Sequence, residues 1–106
     1  MMAAGAPGEL RSELSVPADH PAFSGHFPGL PVLPGAVLLD EALRAIVAAR
    51  HINLQDWQIA TVKFLEIARP GDPLAVHHAI AVAGQIRFVV RSAGRTLVTG
   101  SLTHAA

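Results

Sequence analysis

The stretch GHFPGLPVLPGAVLLDE, residues 25–41, opens on an imidazole, His26, and closes on adjacent carboxylates, Asp40 and Glu41. A histidine titrates near neutral pH and can take a proton, while an aspartate can give one or hold a hydroxyl. Pro28, Pro31 and Pro34 stiffen the segment between them, so a side chain mounted on it keeps one place without losing entropy at each turnover. Pro34 and Gly35 read as a helix start, where backbone N–H groups lack intrahelical acceptors and the helix dipole presents its positive end. Gly35 has no side chain to block approach to that N–H. A base, an acid and such a donor suit proton transfer beside a carbonyl whose oxygen gains negative charge.

Each residue also has a plainer explanation. His26 can be a hydrogen-bonded loop histidine, Asp40 can pair with Arg44 at i+4 on a helix surface, and Gly35 can be small for close packing. Glu41 reads as a solvent-facing or interface charge. His77 and His78 are neighbours on a predicted strand, point to opposite faces and cannot share one metal ion. His20, His51 and His104 read as isolated surface residues, and Trp57 as core or dimer packing.

The elements that must position these groups belong to one domain, since 106 residues suffice for a single core. Residues 1–8 read as a loose tail and 9–106 as the domain. Hydrophobic residues make up 51% and charged residues 15%, with eight acidic side chains balancing eight basic ones. So little surface charge predicts that a second subunit covers part of the molecule. The neutral balance, a single lysine and dispersed arginines argue against nucleic acid as a partner. The N-terminus lacks signal-peptide character and no run is long and apolar enough to span a membrane, which predicts a cytoplasmic protein.

The alternation over 9–16 predicts a short strand, and 17–33 an extended stiff loop. A helix follows from Pro34 to about Ala49, apolar nearly all round and therefore expected to be buried. Period-two segments at 57–67, 74–83, 84–92 and 95–104 predict four strands. Turn chemistry at Arg69-Pro70-Gly71-Asp72, Ala83-Gly84-Gln85 and Ser92-Ala93-Gly94-Arg95 predicts a four-stranded antiparallel meander. The sum is an α+β domain with a sheet curled around one helix. Two copies about a two-fold axis would cover the half of the helix that one sheet leaves bare.

GHFPGLPVLPGAVLLDE resembles the signature of the hot-dog-fold 3-hydroxyacyl-acyl-carrier-protein dehydratases. Val62-Lys63-Phe64 with Arg69-Pro70-Gly71-Asp72, and Phe88 to Gly100, are similar to further parts of that family, so the likeness runs from about Glu9 onward. It implies an antiparallel sheet wrapped around a central helix, and dehydration of a 3-hydroxyacyl thioester to the trans-2-enoyl product without metal or cofactor. His26 and Asp40 fall on the family's catalytic pair, contributed to one site by different subunits, and Gly35 on the N–H that polarises the substrate carbonyl. Val37 and Leu38 would line an acyl tunnel along the subunit interface. The implied partners are an acyl carrier protein and a second copy, in a dimer or dimer of dimers, or a homologue. For Asp40 to serve as an acid at neutral pH, desolvation by its apolar helix must favour the protonated form. The family's glutamine, one turn after the carboxylate, is Arg44 here. That replacement motivates a second reading, a non-catalytic acyl-binding or scaffold subunit; a hot-dog thioesterase is a third.

Overall fold

The computed structural model describes residues 8–17, 19, 21 and 33–105. The 1–7 part of the expected tail, His20 and most of the stiff loop, His26 included, lie outside the described residues. Strand β1 spans Leu10–Leu14, helix α1 Gly35–Arg50, and strands β2 to β5 span Trp57–Phe64, Leu74–Ile80, Ile86–Ser92 and Arg95–His104. Together the strands make one antiparallel sheet in the order β1-β3-β4-β5-β2. This is the five-stranded, one-helix arrangement of the hot-dog fold.

Helix α1 keeps the predicted bounds to within a residue. The Pro34 carbonyl accepts the N–H of Val37 at 3.0 Å and of Leu38 at 3.1 Å, opening the helix on a residue with no N–H of its own to satisfy. At the other end His51 takes a left-handed conformation (φ 54°) and bonds back to the Val47 carbonyl, closing the last turn. The expectation of a helix buried all round is corrected. Leu38, Ala42, Leu43 and Ile46 form one buried stripe at helical spacing, while Ala36, Asp40, Arg44 and Ala48 are exposed. Helical periodicity was masked in the sequence by alanines, which are equally at home on either side.

The buried stripe meets Val76, Ile86, Phe88, Val90, Val98 and Leu102 of the sheet. The period-two pattern over 84–92 becomes strand β4 with Ile86, Phe88 and Val90 inside and Arg87 outside. Phe88 lies directly across from Gly100 on β5. A Cβ at Gly100 would collide with the Phe88 ring and stand 2.7 Å from the Thr61 carbonyl, so only glycine lets the aromatic ring lie flat on that strand.

The four-strand meander is corrected as well. Strands β3, β4 and β5 are consecutive neighbours, but β2 pairs with β5 at the far edge instead of with β3. The Arg69–Asp72 turn does form, with Asp72 N–H bonding the Arg69 carbonyl at 3.1 Å and Arg69 N–H bonding Asp72 Oδ2 at 2.8 Å. It belongs to a crossing segment, 65–73, that passes the β4–β5 turn to reach the other side of the sheet. Arg95 fixes that segment through Glu66 Oε1 at 2.9 Å and Asp72 Oδ2 at 3.6 Å.

His78, fully buried on β3, ties the sheet to the end of the helix. Its Nδ1 accepts from Arg50 Nε at 2.8 Å and its carbonyl from Arg50 Nη2 at 3.0 Å. The Nε2 atom is buried without a hydrogen-bond partner among the described residues. Burial, and then the adjacent guanidinium, push the imidazole down to about 4, so it is neutral in the folded chain. An unfolded chain binds a proton at His78 below about pH 6.5 while the folded one does not until about pH 4. We therefore predict that His78 lowers stability as pH falls from about 6.5 towards 4. Urea midpoints across that window should drop in the wild type and drop less steeply in His78→Leu. We also predict that Gly100→Ala destabilises the fold by about 1–3 kcal/mol, read as a lower urea midpoint, because both the ring and a backbone carbonyl would have to move.

Candidate active site

Only part of the expected constellation falls on described residues. Gly35 is the first residue of α1, and Asp40 lies five positions, about 7.5 Å of helical rise, further along. At the helix start Val37 and Leu38 already use the Pro34 carbonyl, which leaves Gly35 and Ala36 N–H outside the helical ladder. Pro34 supplies no side-chain cap.

Facing this start is a residue not assigned to the site from sequence. A Cβ on Gly35 would stand 2.8 Å and 2.9 Å from Phe64 Cδ1 and Cε1, so the aromatic ring rests against the glycine backbone. Phe64 ends β2, and its side of the strand follows from the Val62-Lys63-Phe64 alternation; that it meets Gly35 depends on the tertiary path alone. It remains 51% exposed; Leu65 and Ile67, which follow it, and Ile59, further back on β2, are exposed too. A strand edge unpaired among the described residues, next to this apolar group, is an unusual surface for an isolated chain.

Asp40 projects from the open side of α1, with its side chain 58% exposed. Arg44 Nε donates to its Oδ2 at 2.9 Å, and this carboxylate holds the guanidinium above its ordinary range. The burial expected to desolvate Asp40 is therefore not supplied by the described residues of this chain. Leu38 is buried in the protomer's own core and Val37 packs partly against it. Glu41 is half-buried beside Asp40. His77 and His78 do point to opposite faces: His77 Nδ1 lies 3.8 Å from Glu9 while His78 is engaged by Arg50. Trp57 is partly buried and stacks edge-on against His104 at 5.2 Å. Among the described residues no group of three or more His, Cys, Asp or Glu side chains is placed to hold a metal ion. None of the described helices is long and apolar enough to cross a membrane.

Over residues 4–101 the chain matches the ApeI-like family, ApeI dehydratase. It is 35% identical over 103 residues to 3-hydroxyacyl-[acyl-carrier-protein] dehydratase FabZ of Caldicellulosiruptor saccharolyticus, covering 86% of this chain and 73% of that protein. To the FabZ of Thiobacillus denitrificans it is 31% identical over 102 residues, covering 87% and 69%. The chain spans 61–73% of the length of the first curated relatives that it matches. Its fold is shared with a chain of the dehydratase heterocomplex ApeI:P from Xenorhabdus doucetiae, at a TM-score of 0.69 and 24% identity, over 95% of this chain and 90% of that one. With a helix that opens on Pro34-Gly35, a carboxylate on its open side and a match along nearly the whole sequence, the chain belongs to the ApeI-like dehydratase family.

Proposed function

We propose that this chain removes water from a 3-hydroxyacyl thioester carried on an acyl carrier protein, giving the trans-2-enoyl thioester. His26 takes the proton from carbon 2, the helix-start N–H at Gly35 stabilises the negative charge that develops on the thioester oxygen, and the Asp40 carboxyl gives its proton to the 3-hydroxyl, which leaves as water as the bond between carbons 2 and 3 becomes double. The observation that carries the reading is the placement of Asp40 on the uncovered side of α1, on the same helix as the uncapped start at Gly35.

A second copy of the chain is the occupant we assign to that open side. The β2 edge, unpaired among the described residues and carrying exposed Ile59 and Phe64, offers continuation of the sheet, and pairing there would bring the two bare helix faces into a common interior. His26 of one subunit would then complete the site of Asp40 in the other, with the acyl chain in the interface beside Val37; Leu38, expected with it from the resemblance, is spent on the protomer's own core. We assign the chain to the cytoplasm and require no metal or cofactor for its chemistry.

A second reading is favoured by the Asp40–Arg44 pair: a carboxylate already engaged by a guanidinium suits a subunit that keeps the fold and leaves chemistry to a homologue. The Xenorhabdus doucetiae relative in fold is itself described as a heterocomplex.

Formation of enoyl thioester, followed by its absorbance with 3-hydroxyacyl substrates of several lengths on a carrier protein, separates the two. We predict turnover by the wild type and a loss of about 10²–10⁴-fold in His26→Ala and in Asp40→Asn, with unchanged circular dichroism. A folded wild type inert on every length would leave the scaffold reading in its place. We further predict that Gly35→Ala costs less stability than Gly100→Ala, because the half-exposed Phe64 ring can swing aside. Its turnover should nonetheless fall, and the comparison of melting temperature with kcat checks both halves.

A further inference from the structure

Arg44 stands one helical turn beyond Asp40 and takes Oδ2 of that carboxylate, Nε to Oδ2 2.9 Å. Both side chains are on the open side of α1, 73% and 58% exposed, and no other described residue bonds to Asp40. Ionic groups of the strands packed behind the helix are engaged elsewhere: Arg11 with Glu13, His77 with Glu9 and His78 with Arg50. Within one chain an exposed i,i+4 pair adds little to the stability of a helix, so stability alone gives little reason for it. Its geometric effect is larger. A carboxylate has two oxygens, and a guanidinium N–H fixed on one of them sets the plane of the group and leaves the other for a second donor.

Resting on the dehydration proposed above, we infer that Arg44 is a positioning residue for Asp40: by occupying Oδ2 it holds the carboxyl group so that Oδ1 is the oxygen that delivers the proton to the substrate's 3-hydroxyl. What the position requires is an N–H donor one turn past the carboxylate, not a positive charge. A glutamine amide, which also presents N–H groups, can supply that donor, whereas methionine has similar length and no donor.

The test compares Arg44→Gln, Arg44→Met and both changes in an Asp40→Asn background, in the enoyl-forming assay. Arg44→Met should lower kcat by about tenfold or more, as misplacement of a reacting group does, with KM within about twofold of wild type. Arg44→Gln should retain most of the wild-type kcat. In the Asp40→Asn background, Arg44→Met should produce no further loss, since it acts through the group already removed. Circular dichroism and size-exclusion elution should match the wild type in every variant, which separates positioning from loss of the fold or of the assembly. Wild-type kcat in Arg44→Met, an equal fall in Arg44→Gln, or losses that multiply with Asp40→Asn would each overturn the role of Arg44 while leaving dehydration intact. A wild type with no turnover overturns the dehydration reading and this inference with it.

Discussion

One backbone hydrogen bond organises the end of the molecule where helix α1 starts and the proposed site lies. Leu33 N–H donates to the Ala68 carbonyl at 2.8 Å, and both residues are buried. Leu33 immediately precedes the Pro34-Gly35 helix start, and Ala68 lies on the segment that carries the chain from β2 across to β3. A bond shielded from water between these two points sets where α1 begins relative to the sheet. The crossing segment can serve as anchor because Arg95 grips it at Glu66 and Asp72, on both sides of Ala68. Leu65 and Glu66 N–H add bonds to the Leu97 carbonyl, so the strap is attached to β5 as well. Strand β2 then delivers Phe64 against Gly35 as a consequence of the same path.

From that anchor α1 runs over the sheet with one stripe inside and one outside, and its far end is clamped by Arg50 on His78. Two attachments, one of backbone and one of side chains, thus hold a helix whose hydrophobic contact covers only half its circumference. The uncovered half is where the carboxylate stands. A self-sufficient monomer would place charge evenly there; this chain instead offers Asp40 and Arg44 next to alanines and an apolar strand edge. The distribution suits a surface that another copy covers.

Much of this was legible from residue order. The proline–glycine run fixed the helix start, the alternation Ile86, Phe88, Val90 fixed the inner face of β4, and the Ser92–Arg95 turn fixed its pairing with β5. The partner of β2 was not legible, because a turn signal marks where a chain reverses and says nothing about which strand receives the next one. Exposure of Asp40 escaped for a related reason: an apolar helix states that it needs cover, without stating whether its own sheet or another chain provides it. The His78–Arg50 clamp and the Phe64–Gly35 contact join residues 28 and 29 positions apart, a separation at which no local pattern operates. As for His26, its proposed role rests on the motif and the family, since it lies outside the described residues.

The first turn of α1 begins on a proline with no side-chain cap, leaving two donors at the positive end of the dipole unclaimed by the helix. Elsewhere a serine or aspartate would fill that place and stabilise the turn permanently. Here a carbonyl oxygen arriving from outside would be the cap. If the thioester proposed above is that cap, its affinity would be linked to the stability of a turn that is already formed without it, and a bound substrate would protect the start of the helix.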